Sequence, residues 1–233
     1  MKIVYGEKYR TVYSSDPAAA PGRMESILDE LGGAFDFVEP EPASEEDICL
    51  VHTRSHLDRI KKKPVIYEVA LLSAGGAIKA SEIAMEEGPA FGLIRPPGHH
   101  ASPDNCWGFC YFNNIAVSVE KLRRSGKIKS AVIVDFDLHY GDGTANIFAH
   151  VDEVVYHHLG GRDRIAILED LESFLSSLRT CDVICVSAGF DNHEEDWGGA
   201  LKTQDYNEIG KIIKERADAL CGGKRYGVLE GGV

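Results

Sequence analysis

With 233 residues, 44% hydrophobic and 27% charged, the chain has the makings of one soluble α/β core. Its net charge of −12 argues against nonspecific binding to nucleic acid or anionic membranes and leaves room for a cationic substrate. There is no signal peptide and no apolar run of about 20 residues, and the six cysteines form no CxxC pair, so a reducing, cytoplasmic location is expected.

Lys2 to Tyr5 predicts a short first strand. Met24, Ile27, Leu28 and Leu31 recur at helical spacing, so Arg23 to Leu31 predicts an amphipathic helix, stopped by Gly32 and Gly33. Glu39 to Glu46 is acidic and punctuated by proline, which predicts a surface loop, and Ser44 with Asp47 resembles a helix start. His52 and His56 stand at i and i+4, a spacing that can hold a metal, but no third ligand is local and the pair is read as ordinary. Pro64 opens a helix from Val65 to Glu87. Gly75 and Gly76 inside it cost about 1 kcal/mol each in helix propensity, which points to close packing against a neighbour.

Pro89 to Ile94 predicts the next strand. It runs into RPPGHHASPDNCWGFCYFNN, an aperiodic and rigid loop of the kind that carries function. A helix follows from Asn114 to Ser125, ended by Gly126. The stretch from Ala131 to Gly143, AVIVDFDLHYGDG, then predicts a buried strand that exits on acids and a histidine. On an extended segment Asp135, Asp137 and His139 share one face. They would sit at the carboxyl end of a core strand, where open α/β sheets place ligands. Burying such charges costs several kcal/mol per group unless they are paired or metal-bound.

Thr144 to His150 predicts a short helix, Val154 to His158 a strand, Ile165 to Leu178 a helix and Asp182 to Ser187 a buried strand, with Cys181 and Cys185 as small core residues on one face. That strand exits into AGFDNHEEDWGG. Thr203 caps a helix from Gln204 to Leu220, with Tyr206, Ile209, Ile213 and Ala217 on one side. Tyr226 to Leu229 is the last strand. Strands alternating with helices give a single α/β domain over residues 1–233, a mostly parallel sheet with helices on both faces.

Three strand exits carry the polar residues: His99 and His100, then Asp135 to Asp142, then Asp191. Two carboxylates and an imidazole make a borderline site that suits zinc with a position left open, and also accepts iron(II) or cobalt. Such a metal acidifies water and polarises a carbonyl, while a neighbouring histidine moves the proton. His99 and His100 each need a partner on the second nitrogen, and Asp135 and Asp142 are the natural candidates.

Four segments in this order, RPPGHHA, GFCYFNN, DFDLHYGDG and SAGFD, resemble the zinc-dependent histone deacetylase and acetylpolyamine amidohydrolase family, whose fold is arginase-like. The resemblance is loose before Glu68 and close from Phe91 to Gly143. It implies metal-dependent hydrolysis of an acylated amine, either an acetyl-lysine peptide or a small acetylpolyamine. It implies Asp137, His139 and Asp191 as zinc ligands. His100, backed by Asp142, would be the general base, and His99, backed by Asp135, an electrostatic helper. Gly108 and Phe109 would line the acyl-lysine channel. A potassium ion would lie near Asp135, Asp137, His139, His158 and Leu159.

Two departures stand out. Where the family places a carbonyl-polarising tyrosine or histidine, this chain has Val233, which has no donor, and an oxyanion donor is typically worth about 3 kcal/mol. The family continues past that position, so the resemblance implies a fold truncated at its C-terminus, with an open sheet edge after Leu229 that a homo-oligomer would cover. The stretch between His158 and Asp182 is also short for the family, which implies a channel open on that side. Trp107, Tyr140 and Trp197 are candidates to supply the aromatic wall, each with an ordinary reading as a core or rim residue. His193 reads as an exposed loop histidine. The alternative to an active hydrolase is a catalytically impaired homologue that binds metal or acyl-amines.

Overall fold

The computed structural model describes residues 1–14 and 19–232. In chain order the elements are β1 (Lys2–Val4), a 3-10 turn (Glu7–Arg10), α1 (Arg23–Leu31), β2 (Asp36–Val38), α2 (Glu45–Ile48), α3 (Arg54–Lys61), α4 (Pro64–Glu86) and β3 (Ala90–Gly92). They continue as α5 (Asn114–Arg124), β4 (Ala131–Asp135), α6 (Asp142–Phe148), β5 (Val154–His158), α7 (Arg164–Ser177), β6 (Val183–Ala188), α8 (Thr203–Cys221) and β7 (Arg225–Leu229). Among the described residues no helix is long and apolar enough to cross a membrane.

The seven strands form one sheet in the order β2-β1-β3-β7-β6-β4-β5, and every pairing is parallel. The period-2 alternation of the central strands explains the two helical layers. Ala131 and Ile133 of β4, with Val183 and Cys185 of β6, turn to a core shared with α4 and α5. Val132, Val134, Ile184 and Val186 turn to the opposite core, built with α7 and α8. Both faces are covered, so these strands are buried throughout and apolar up to Asp135 and Ser187.

Helix α4 comes close to its neighbours at the Gly75-Gly76 pair: a Cβ on Gly75 would lie 1.9 Å from the Glu41 carbonyl oxygen in the loop before α2, and one on Gly76 would lie 2.5 Å from Ile94 Cγ2, which is the close packing the pair foretells. Ser44 caps α2 as expected, with its Oγ accepting from the Asp47 amide at 3.1 Å. Arg95, wholly buried, donates to the carbonyls of Tyr9, Thr11 and Ala20 and so pins the N-terminal segment against the sheet.

Several sequence expectations need correction. The edge strand β2 has no counterpart in the sequence reading, because its three residues are largely exposed and carry no apolar pattern. Helix α3 lies where no element was expected, and α6 begins at Asp142, ahead of the expected Thr144. Thr203 is the first residue of α8 rather than its cap, and the Lys202 amide there donates to Asp205 Oδ2 at 2.9 Å. Cys181 lies ahead of β6, although it is buried like Cys185. Most important, β7 is no edge: it pairs with β3 on one side and β6 on the other. The edges are β2 and β5, so the argument for an oligomer from an open strand after Leu229 lapses.

Candidate active site at the carboxyl ends of the strands

Gly92, Val228, Ser187, Asp135 and His158 form one register row across β3, β7, β6, β4 and β5. Each chain segment leaving that row delivers residues to the same end of the sheet. The β4 exit does not continue as a strand. Asp135 Oδ1 accepts the amide of Asp137 at 3.1 Å, and Asp137 Oδ1 accepts the amide of His139 at 2.9 Å. Each acid thus bonds the N–H two residues on, as aspartates do in turns. The common side expected from strand alternation is reached through these turns instead.

Asp191, on the loop after β6, completes a trio. Its Oδ1 accepts the Leu138 amide at 2.8 Å, and its Oδ2 lies 2.8 Å from His139 Nδ1, which is also 3.3 Å from Asp137 Oδ1. The Gly231 amide donates to Asp137 Oδ2 at 2.8 Å. The ligand atoms of Asp137, His139 and Asp191 all lie within 4.8 Å of one another.

Both carboxylates are buried. Burial works against the charge of Asp137, but His139, His99 and the His139 and Gly231 amides hold its pKa well below the usual carboxylate range. Burial and the Asp137 charge push Asp191 upward. Two buried acids facing a half-exposed imidazole are short of positive charge, and their oxygen and nitrogen donors suit a divalent ion. A second buried trio, His99, Cys110 and Glu230, has comparable spacing. Its donors are engaged already: His99 Nδ1 faces Asp135, and Glu230 Oε2 accepts the Gly98 and His99 amides at 2.7 and 3.1 Å.

The histidine pair comes from the loop between β3 and α5. Asn113 caps α5 through the Ala116 amide and also donates to the Ala101 carbonyl and Thr144 Oγ1, folding the loop on itself. His99 Nδ1 lies 3.1 Å from Asp135 Oδ2, and His100 Nδ1 lies 2.7 Å from Asp142 Oδ1. The two rings are 4.0 Å apart. Burial opposes a charge on His99, but Asp135, Glu230 and Asp137 outweigh it and raise its pKa to about 10. Burial, reinforced by the charge of His99, lowers His100 to about 4 against the pull of Asp142.

A cavity of about 200 Å³ opens over these groups. Gly108 and Phe109 line it. Both take positive φ, 59° and 60°, and a Cβ on Gly108 would meet His100 Cδ2 at 2.7 Å. At Phe109 that backbone costs about 1 kcal/mol or more, a strain typical of functional loops. Trp107 and Trp197 also line the cavity, stacked on His100 and edge-on to His139 respectively. Tyr140 does not line it and packs edge-on to Tyr156 and His158. His193 is half-buried rather than exposed and lies 3.1 Å from Thr203 Oγ1. Val233 lies outside the described residues.

Two supports were missed in the sequence. Glu230 follows β7 as Asp191 follows β6, a fourth strand exit ending on an acid. Tyr156 donates to Asp135 Oδ2 at 2.9 Å, and no local pattern announces it. Around the same aspartate, the Leu159 amide donates to the Asp135 carbonyl at 2.9 Å and His158 is its cross-strand neighbour.

The sequence matches the histone deacetylase domain over residues 18–165. The chain belongs to the histone deacetylase family. A probable deacetylase of Methanothermobacter thermautotrophicus is 34% identical, the match covering 84% of this chain and 75% of that protein. A probable deacetylase of Archaeoglobus fulgidus is 31% identical, over 99% of this chain and 80% of that one. The HDA15 HD domain superposes with a TM-score of 0.85 at 23% identity, covering all of this chain and 86% of that one, which shows the shared fold. Membership in a deacetylase family, with the partly buried aspartate-histidine-aspartate trio, supports metal-dependent chemistry of the amidohydrolase type.

Proposed function

We propose that this deacetylase-family chain hydrolyses the amide of an acylated amine, such as an acetyl-lysine peptide or an acetylpolyamine. The observation that carries the reading is the placement of His100, 2.7 Å from Asp142, over the same cavity as the Asp137, His139 and Asp191 trio. That trio would hold the metal, and its donor set suits zinc while also admitting iron(II) or cobalt. When bound, a divalent ion acts as a Lewis acid that acidifies water and polarises an amide carbonyl.

With Nδ1 engaged by Asp142, His100 has Nε2 left for proton transfer. It takes the proton of the attacking water and returns it to the departing amine. Its depressed pKa keeps it neutral, and therefore able to accept, at neutral pH. His99, held charged by Asp135, stabilises negative charge developing in the cavity and is placed to assist the leaving group. Gly108 and Phe109 line the entry for the acyl-amine stem. Asp135, Asp137, His139, His158 and Leu159 remain our proposal for a potassium site beside the trio.

The test is turnover of a fluorogenic acetyl-lysine amide by the zinc-loaded protein, with Asp137→Ala beside it. Metal-dependent turnover that Asp137→Ala abolishes together with zinc binding is expected. Activity surviving in Asp137→Ala would end the metal reading. A second reading, a homologue that binds metal without useful hydrolysis, is favoured by Val233 and by the lack of a tyrosine among the described residues lining the cavity. Stoichiometric zinc without turnover of any acylated amine would select it.

A further inference from the structure

The indole of Trp107 makes two contacts that a channel wall does not require. Its ring stacks on His100, with centroids 3.8 Å apart and planes 29° from parallel. Its Nε1–H points at Asp142, 3.1 Å from Oδ1 and 3.0 Å from Oδ2. Asp142 thus receives two donors, because His100 Nδ1 lies 2.7 Å from the same Oδ1.

Trp107 is 53% exposed, so burial of apolar area is not what the residue is placed for. The backbone is arranged around it. The Cys110 amide closes a turn on the Trp107 carbonyl at 3.0 Å, and the two left-handed residues Gly108 and Phe109 complete that turn. The Asp142 side chain is 37% exposed, at the first residue of α6. A carboxylate so placed has water to bond and rotamers to sample, and a single imidazole is a weak tether. A second donor from a rigid ring removes that freedom.

We propose that Trp107 is a positioning residue for the His100–Asp142 pair, clamping the carboxylate through its indole N–H while its ring covers the imidazole. Its importance for turnover rests on His100 being the base, as proposed above. The clamp itself does not. The indole face also attracts a cation, so it favours the imidazolium that His100 becomes on accepting a proton.

The experiment has two arms on the zinc-loaded protein. The chain has two tryptophans, Trp107 and Trp197, so Trp197→Phe leaves one indole N–H signal in a nitrogen-15 spectrum. The Trp107 indole proton should exchange with solvent at least about tenfold more slowly than that of Trp197, which is 76% exposed, and lose that protection in Asp142→Ala. In the kinetic arm, Trp107→Phe keeps a stacking face and loses the donor. It should lower kcat about tenfold with KM nearly unchanged, and cost nothing further in an Asp142→Ala background. A Trp107 indole that exchanges as fast as Trp197, or a Trp107→Phe effect on KM with kcat intact, overturns the proposal. If the parent protein turns over no acyl-amine, the proposed function fails, and the exchange arm alone decides the clamp.

Discussion

Two histidine pairs with closely spaced rings have opposite characters. The rings of His52 and His56 are 4.9 Å apart, those of His99 and His100 4.0 Å. Every nitrogen of the first pair is engaged: His52 Nε2 accepts the Asn113 amide and its Nδ1–H donates to the Ser102 carbonyl, both at 2.9 Å, while His56 Nε2–H donates to the Tyr111 carbonyl and its Nδ1 accepts from the Arg59 guanidinium, both at 2.7 Å. Carboxylates tie down the second, which lines a cavity. With both nitrogens of each ring engaged, the first pair is fixed as neutral tautomers and has no nitrogen left to work with. A carboxylate partner supports charge and orients the ring while the other nitrogen stays available. Neighbouring histidines are thus fully engaged in one place and face a cavity with a nitrogen available in the other. The two are connected, because the backbone atoms that His52 and His56 hold belong to the loop that carries His99 and His100.

The sharpest way to break this contrast is to remove one ring from each pair. His100→Ala should lower kcat by about a hundredfold to ten-thousandfold with zinc stoichiometry intact, as measured by steady-state kinetics and metal analysis. His56→Ala should instead lower the denaturation midpoint. Equal kinetic losses from both would erase the distinction. Restoring the donor that the family resemblance implies tests the same division from the other side: Val233→Tyr should raise kcat up to about a hundredfold and leave the denaturation midpoint where it was. No gain would mean that the carbonyl is polarised from elsewhere.

The smallest effect is one of pH. Burial, with repulsion from His56, lowers His52 to about 3. Its folded pKa is therefore below its unfolded value, so the stability it contributes is present above about pH 6.5 and is lost as pH falls toward 3. The loss runs at about 1.4 kcal/mol per pH unit, or about 2 kcal/mol between roughly pH 6.5 and 5. Urea unfolding at both values, for the parent and for His52→Gln, should show the acid sensitivity shrink by that amount in the variant. An unchanged difference would mean that His52 is not held neutral.

The parts legible in the sequence are those that follow from local pattern. Apolar runs located β4 and β6, and their acidic exits located Asp135, Asp137 and Asp191. Helical spacing located α1 and α8. The pattern fails where an element is short or exposed, as in β2, and where pairing is long-range, as for the central place of β7. At the site, residue types and the family resemblance brought the trio and both histidine–aspartate pairs into view. The Trp107 clamp was hidden because it depends on two left-handed residues, one of them a phenylalanine, a conformation that sequence does not advertise. His52 and His56 could be set aside as ligands, but their backbone partners lie about 50 residues away, at Ser102 and Tyr111.

The central position of β7 bears on how the protein is made. Without it the sheet is two unconnected ribbons, β2-β1-β3 and β6-β4-β5. His99 and His100 follow from the first ribbon, and Asp137, His139 and Asp191 from the second. Strand β7 sews the ribbons together, and the residues just past it bond both: Glu230 takes the Gly98 and His99 amides, and Gly231 donates to Asp137. Of the seven strands it is the last to leave the ribosome. During synthesis the histidine pair and the aspartate-histidine-aspartate trio therefore lack this bridge until the last strand docks.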